Sequence, residues 1–236
     1  MNRKNNQFLL SIFIFTGLVC CSTLVRSQQI PLNPEQEIPI KDNQFIFIGK
    51  EWRNNYTLVK GDQFLFSKEF MSGTVSMNGI TYNGLEVNYD IYNDELIAKA
   101  NRRIVVQMNK EMIDSFSLSS QLHTYRFINI RNDSLTGIGY VNVLYNQKSI
   151  LFIKYKKEIE PLAVDDKWDL FFRTSRIYLM VNGVNYHIGV KKDLFNALPE
   201  YKTQIKEFMK KNKLKVSKNA PESFIPVIRY YDSIRK

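Results

Sequence analysis

Three Asn-Gly pairs, each lying between short apolar stretches, constrain the fold of this chain more than any other feature. Asn78-Gly79, Asn83-Gly84 and Asn182-Gly183 tolerate the positive φ angles of the tight turns that connect antiparallel strands. From about residue 45 to residue 190, apolar stretches recur at intervals near ten residues, and no long amphipathic helix competes with them. This spacing predicts a mainly β fold, an antiparallel meander that forms a sandwich or a half-open barrel.

The alternation of apolar and polar residues predicts about ten strands. The hairpin around Asn182-Gly183 is the clearest, and Asn83-Gly84 is expected to bend the chain from one strand into the next. Two stretches, 138–145 and 149–155, are apolar on both faces, which predicts a central position or one beneath the terminal helices. The predicted strands are 73–77, 80–82, 85–91, 95–100, 104–108, 113–118, 123–130, 138–145, 149–155, 177–181 and 184–190.

Residues 191–236 change to a helical period, which predicts a carboxyl-terminal cap packed on the sheet. Asp193 is expected to cap a first turn, and Pro199 to open a helix that ends at Lys213. Ser223 is expected to cap a last helix. The residues expected to face the sheet are Tyr201, Ile205, Phe208, Met209, Val227, Ile228, Tyr231 and Ile234.

The amino-terminal residues 1–27 have the three parts of a signal peptide. Arg3 and Lys4 form the positive start, residues 8–19 form the apolar run, and a small-residue cleavage site ends at Ser27. A permanent membrane anchor needs about 20 apolar residues, so this run is too short for one. We therefore expect a secreted or periplasmic protein.

Both cysteines, Cys20 and Cys21, lie in this leader, which leaves an alternative: a lipoprotein peptidase cuts before Cys21, and a lipid anchors the protein to the envelope there. Leu18 fits that motif, but Cys20 is a poor match to the small residue usual before the cut, so we favour simple secretion. After cleavage at Ser27 no cysteine remains. Such a mature chain has no disulfide, thiolate metal site or cysteine nucleophile, and its stability comes from its core.

The charge of the chain is segregated. Residues 28–42, with three prolines among polar residues, predict an extended tether, and residues 43–190 the β domain. Residues 28–189 hold 18 basic and 18 acidic residues, whereas residues 190–236 hold 12 basic and 5 acidic ones. The β domain is therefore neutral, and the cap carries the positive excess of the mature chain.

Lys202, Lys206, Lys210 and Lys213 recur at spacings of three and four residues, which predicts a basic stripe beside the apolar one. Such a stripe suits contact with anionic lipid or an acidic partner. The same lysines also fit the ordinary solvated face of a docked helix, and we favour that simpler interpretation. Nucleic acid is not expected as a partner, because the chain is predicted to be exported and the aromatic residues of this helix fall on the buried stripe.

No sequence motif indicates catalysis, a metal site or a cofactor. His123 and His187 stand far apart with no ligand spacing around them, and they are expected to be ordinary strand or surface residues. The chain lacks the nucleophile elbow of a serine hydrolase and a glycine-rich phosphate loop. Acidic residues that leave an acid–base pair open are Asp90, Asp94, Asp165, Asp166 and Asp169, of which Asp165 and Asp166 are expected in a solvated loop.

A set of aromatic residues lies near the predicted strand ends. In a β protein of this size such residues usually fill the core, and lining a pocket is the alternative interpretation. The set is Phe45, Phe47, Trp52, Phe64, Phe66, Phe70, Phe171 and Phe172.

Three stretches, Ile48–Trp52, Asn88–Leu96 and Tyr230–Ser233, resemble exported bacterial β-rich proteins of unassigned function. The resemblance covers most of the mature chain and implies location and fold. Its residues are turn and core positions, so it implies no catalytic or binding residue. The architecture is also similar to half-open β-barrels that carry lipids or lipoproteins across a bacterial envelope.

Together these features predict a non-catalytic, envelope-associated binding protein that works without a cofactor. In the leading hypothesis the aromatic set forms an apolar groove for a lipid-like ligand, and the lysine stripe orients the protein on an anionic surface. A protein-interaction module that pairs through an exposed sheet edge is the alternative. A hydrolase of envelope polymers, with two carboxylates in one cleft, is the third hypothesis.

Overall fold

The computed structural model describes residues 37–38, 44–131, 139–161 and 169–235. In this part of the chain, twelve strands are followed by three α-helices. The strands are β1 (Glu37–Ile38), β2 (Gly49–Glu51), β3 (Met71–Met77), β4 (Ile80–Asp90), β5 (Glu95–Lys99), β6 (Val105–Met108), β7 (Ile113–Ser119), β8 (Thr124–Ile130), β9 (Gly139–Asn146), β10 (Ile150–Glu160), β11 (Leu170–Val181) and β12 (Val184–His187). The helices are α1 (Lys191–Ala197), α2 (Lys202–Lys211) and α3 (Ile225–Ile234), with 3-10 turns at Gln44–Phe47, Pro199–Tyr201 and Pro221–Phe224.

Eleven of these strands form one antiparallel sheet in the order β12-β11-β10-β9-β8-β7-β3-β4-β5-β6-β2, and β1 pairs in parallel with the first residues of β4. Strands that are neighbours in sequence are mostly neighbours in the sheet, as expected for a meander. The predicted mainly β, antiparallel fold with carboxyl-terminal helices is therefore confirmed. The sheet is not closed into a barrel.

The Asn-Gly pairs connect the strands as predicted at two of three positions. Asn78 and Asn182 have φ angles of 50° and 52°, and each turns one strand into the next. The predicted break at Asn83-Gly84 is wrong, because β4 runs through it. The β3–β4 register shifts there by one residue, so a bulge absorbs the positive φ of Gly84 without interrupting the strand.

The sheet curls so that two strands far apart in its order approach each other. The Leu65 amide donates to the Tyr89 carbonyl at the end of β4, while the Phe171 amide in β11 donates to the Lys60 carbonyl. The Lys157 amide in β10 also donates to the Ile91 carbonyl just after β4. Residues 60–65 and the β4–β5 turn therefore fasten the curled sheet on one side.

The three helices pack into the same core as the strands. Phe127 and Leu179 of the sheet, Ile205 and Val227 of the helices, and Phe224 are all within one cluster and at most 1% exposed. The helices and the apolar face of the sheet therefore share one core. The predicted central strands β9 and β10 each have a neighbour on both sides.

Two predicted helix caps are wrong. The N-cap of α1 is Val190, and Asp193 lies three positions later, where its carboxylate accepts the Gly189 and Val190 amides. The Ser223 hydroxyl donates to the Ala220 carbonyl and so belongs to the 3-10 turn before α3. Helix α1 therefore begins two residues before Asp193, and the 3-10 turn moves the start of α3 beyond Ser223.

The predicted leader (1–27) lies outside the described residues, as do the two cysteines. Of the predicted tether (28–42), only Glu37–Ile38 is described, and it forms β1. Within the described ranges, every helix is too short or too polar to cross a lipid bilayer.

Candidate functional site

The predicted basic stripe lies on the solvent side of α2. Ile205 and Met209 are buried against the sheet, whereas Lys202, Lys206 and Lys210 are exposed. The helix therefore presents one face to the core and another, basic face to solvent.

The predicted fourth lysine of the stripe, Lys213, is exposed but lies beyond the helix end. Its φ angle is 52°, in the left-handed region, and the amide of Leu214 donates to the Met209 carbonyl across it. This arrangement is the Schellman type of helix end, in which an apolar residue after the turn, here Leu214, packs on the core. The predicted helix to Lys213 therefore ends at Lys211.

In the described part of the chain, the lysines of α2 lack the ion pairs that several lysines of the β domain make. Lys99 pairs with Glu86 and Lys157 with Asp62, at nitrogen–oxygen distances of 2.7 and 3.0 Å. Among the described residues, none of the lysines of α2 or of the following turn lies within ion-pair distance of a carboxylate. Asp193 and Asp232 of the cap accept hydrogen bonds from backbone amides, and Glu200 and Glu207 are exposed beside the lysines without an ion pair among the described residues.

The predicted aromatic set is spread over several local contacts. Phe64 is buried against Trp52, with ring centroids 5.8 Å apart, and Phe66 lies against Tyr125 at 4.6 Å. Phe171 meets two tyrosines, and Phe70 lies under the ammonium group of Lys99. Phe47 packs on the core and Phe172 is 51% exposed, while the side chain of Phe45 lies outside the described set.

An open depression of about 540 Å³ lies between the β4–β5 turn and β10. Its lining is mainly polar and includes the Asn93 amide, Lys157 and Glu158. Small-molecule sites are usually enclosed and mostly apolar. This depression has neither property.

A cluster of charged and phenolic groups lies beside this depression, around Asp94. One carboxylate oxygen accepts the Tyr89 hydroxyl at 2.5 Å and the Lys154 ammonium at 2.8 Å, and the other accepts the Lys110 ammonium at 2.5 Å. Tyr89 lies near the end of β4, Lys110 in the turn before β7 and Lys154 in β10, so one carboxylate connects three parts of the sheet. Gly139 at the start of β9 closes the space beside it, because a Cβ atom there would lie 1.8 Å from the Asp94 oxygen.

This environment shifts the pKa values of Asp94 and Lys154 for different reasons. Burial alone would raise the pKa of Asp94, but Lys154 and the hydrogen bonds from Lys110 and Tyr89 outweigh it, so this pKa is lowered. Burial lowers the pKa of Lys154, and Asp94 offsets only part of that effect. The reason is that one carboxylate is shared between two ammonium groups. The carboxylate is held as an anion, with its bonding positions filled by the protein.

The predicted carboxylate pair of Asp90 and Asp94 has no catalytic arrangement in this geometry. Asp90 is fully buried and accepts the Tyr92 amide together with the amide and side chain of Asn93. Burial raises its pKa despite these hydrogen bonds. The Asp90 carboxylate therefore stabilises the β4–β5 turn, and the Asp94 carboxylate connects this turn to Lys110 and Lys154.

The other candidate residues are dispersed. His123, just before β8, lies against Tyr125, and His187 at the end of β12 lies against Tyr178, so the two histidines are at different places in the sheet. Asp169 is exposed just before β11, and Asp165 and Asp166 lie outside the described residues. In the part of the chain that the structure describes, no three His, Cys, Asp or Glu side chains are grouped to hold a metal ion.

Comparisons with known proteins give no further guide to the site. No protein-family model matches this chain, and no curated protein or solved structure is significantly similar to it.

Proposed function

We propose that this chain is an exported, envelope-associated binding protein whose helical cap contacts an anionic surface. The observation that carries the proposal is the row of exposed lysines on α2 without carboxylate partners among the described residues. A lysine near an anionic membrane contributes about 1 kcal/mol of attraction, so several on one rigid helix give useful affinity.

The cap is well suited to such contact because its backbone is fixed. Ile205 is fully buried and Met209 is 2% exposed, so α2 cannot rotate without opening the core. The lysines extend from a rigid helix, and binding orders only their side chains. The leader in residues 1–27 supports the envelope as the place of action.

A lipid-like cargo has less support than the surface contact. The helices fill the inside of the curled sheet with buried side chains such as Phe224 and Leu194. The members of the aromatic set contact local neighbours instead of converging on one groove. The proposal therefore rests on the outer surface of the cap.

The test is binding to vesicles that contain phosphatidylglycerol, compared with vesicles of phosphatidylcholine alone. Replacing Lys202, Lys206 and Lys210 by glutamate should abolish binding to the anionic vesicles, and wild-type binding should weaken as the salt concentration rises. A matched control replaces three exposed lysines of the β domain, Lys50, Lys60 and Lys68, by glutamate. Equal loss in both variants, or no binding by wild type, would contradict the proposal.

One observation favours a second function, recognition of an extended peptide by β11. Along one edge of this strand, the Phe171 amide donates to the Lys60 carbonyl, and the Ile177 carbonyl accepts from the Ile188 amide. Because the backbone groups of a strand alternate in direction, the N–H and C=O groups of Arg173 and Ser175 point to this same edge. No described residue forms a backbone hydrogen bond with them there, so this part of the edge is open.

The free edge suits a short acidic strand, since Arg173 and Arg176 are exposed beside it. The test is titration with a synthetic peptide that alternates valine and glutamate. Ser175→Pro removes an outward amide donor and should abolish binding, whereas Ser175→Ala should retain it. No binding by wild type would eliminate this second function.

A further inference from the structure

The open depression between the β4–β5 turn and β10 is balanced in charge. Lys156 and Lys157 both line it, and each pairs with a carboxylate: Lys156 with Glu158 at 2.7 Å, and Lys157 with Asp62 at 3.0 Å. No charged side chain of this lining therefore lacks a partner of opposite charge. The depression favours a neutral, polar ligand over an anion or a cation.

The pair of Lys156 and Glu158 keeps hydrogen-bonding capacity for a ligand. An ammonium group has three N–H donors and a carboxylate has two oxygens, and the bond between these two side chains uses one donor and one oxygen. Each side chain is 57% exposed. A hydroxyl group both donates and accepts, so adjacent hydroxyls of one ligand can bind the ammonium group and the carboxylate together.

The aromatic part of the depression is fixed by its neighbours. Tyr92, which is half-buried in the lining, contacts the rings of Tyr56 and Phe171 in T-shaped arrangements, with centroids 4.9 and 5.4 Å away. The Tyr56 hydroxyl donates to the side chain of Asn93, whose amide donates to the buried Asp90. The Tyr92 ring and the Asn93 amide are therefore in place before a ligand arrives, which lowers the entropic cost of binding.

We propose that this depression binds a short neutral oligosaccharide. One face of a sugar ring carries C–H groups that pack on an aromatic ring such as that of Tyr92, while its hydroxyls suit the pair of Lys156 and Glu158. The volume of about 540 Å³ lies within the range of about 300–1,000 Å³ that is usual for ligand sites.

The open and polar shape also fits this class of ligand. A saccharide carries hydroxyls around its whole ring, so many of them stay hydrated in a complex, and water-mediated contacts supplement the direct ones. An acyl chain gains little in such a site, because it needs an apolar enclosure. The inference goes beyond the proposed contact of the cap with an anionic surface, because it concerns the β domain and a neutral ligand.

The experiment uses the full mature protein and three uncharged probes, cellotetraose, chitotetraose and maltotetraose. Calorimetric titration measures the affinity for each probe. The variant K156A/E158A is compared with E86A/K99A, which removes another exposed ion pair of the same 2.7 Å length from the sheet. Tyr92→Leu keeps an apolar side chain but removes the flat ring, and thermal unfolding checks that each variant is folded.

Wild type should bind at least one probe with a dissociation constant of about 1 mM, as expected for an open and hydrated site. K156A/E158A and Tyr92→Leu should each bind about tenfold more weakly, and E86A/K99A should bind like wild type. If K156A/E158A binds like wild type, or if wild type binds none of the three probes, the inference is wrong. If Tyr92→Leu unfolds, K156A/E158A alone decides, because both of its positions are exposed.

The saccharide site and the anionic surface can fail independently. The variant with glutamate at positions 202, 206 and 210 should bind the saccharide like wild type, because none of these lysines lines the depression. Loss of saccharide binding in that variant would contradict the assignment to the depression.

Discussion

Asp94 has a φ angle of 59°, a conformation that few residues other than glycine and asparagine adopt easily. Asp94 lies in the turn between β4 and β5, in the gap between the predicted strands 85–91 and 95–100. The partners of the carboxylate were not predictable, because Lys110 and Lys154 lie 16 and 60 positions away in the sequence. Local patterns identify turns but carry no information on which distant side chains meet at them.

Replacing Asp94 by asparagine should lower the free energy of unfolding by about 2 kcal/mol, because Lys154 then stays largely buried without a counter-charge. Urea unfolding measures the loss. The control is Glu86→Gln, which breaks an exposed pair with Lys99 and should cost less than about 1 kcal/mol. Equal losses would show that the cluster around Asp94 contributes no more than a surface ion pair.

The contribution of Asp94 should also depend on pH. Its pKa in the folded protein is lowered from 3.8, so its stabilisation is complete above that value and is lost as the pH falls through the folded pKa. The stability difference between wild type and Asp94→Asn should therefore be constant near neutral pH and shrink below about pH 4. Burial raises the pKa of Asp90 and Glu95, but both are present in the two proteins, so their effects cancel. A difference that grows in acid would contradict the assignment.

Gly139 and Gly183 allow a matched test of space around a glycine. Both have positive φ angles, 61° and 77°, but an added Cβ meets the Asp94 carboxylate at Gly139 and nothing within 4 Å at Gly183. Gly139→Ala should cost more than about 2 kcal/mol, and Gly183→Ala about 1 kcal/mol, from backbone strain alone. Thermal unfolding shows which of the two variants is destabilised more. Similar shifts in melting temperature would mean that the groups around Asp94 move to make room for the methyl group.

Helix α3 shows how an element is fixed to the sheet by one buried carboxylate. Asp232, 7% exposed, accepts the amide and hydroxyl of Ser149 at 2.9 and 2.6 Å and the Tyr145 hydroxyl at 3.1 Å. Arg235 completes the contact by donating to Ser149 and to the Asn182 side chain. The end of the cap is thus joined to the turns before β10 and before β12.

Asp232→Ala should destabilise the protein by about 2 kcal/mol, since it leaves buried donors without an acceptor. Hydrogen exchange should rise first in the amides of α3 and much less in those of β4. Asp114→Ala removes a half-exposed partner of Arg131 and should leave α3 exchange unchanged. Uniform acceleration in α3 and β4 would mean that the helix opens only with the whole core.

Elements with a strong local signal were predictable, and their ends were not. The hairpin at Asn182-Gly183 and the buried residues Ile205 and Val227 follow from turn chemistry and periodicity. The start of α1 at Lys191 was missed because Val190 has no capping side chain. The contact between Lys206 and the Phe195 ring was also missed, since no pattern within α1 indicates that Lys206 approaches from α2.

At the scale of the whole molecule, the charge distribution and the predicted leader lead to one prediction. A neutral β domain with a basic cap has one surface suited to anionic partners, and, if the predicted leader directs export, this surface acts outside the cytoplasm. The structure does not describe residues 1–36, so the two predicted processing routes are distinguished by chemistry at the amino terminus.

Intact mass spectrometry of the protein purified from its native envelope should give an amino terminus at Gln28 and no cysteine. Denatured protein should then react with no thiol reagent. A mass that begins at Cys21 and carries a diacylglyceryl group would show lipidation instead. A mass that includes residues 1–27 would contradict both routes.

The fastening of the curled sheet sets an order in which the chain can fold. The Asp62 carbonyl accepts from Lys157, 95 positions later, and the Leu65 carbonyl accepts from Arg173, 108 positions later. Early strands cannot complete their core until the last third of the chain is available, and contacts of such long separation form slowly. We expect a newly made chain to stay unfolded for most of its synthesis, which is the state that a membrane translocation channel accepts.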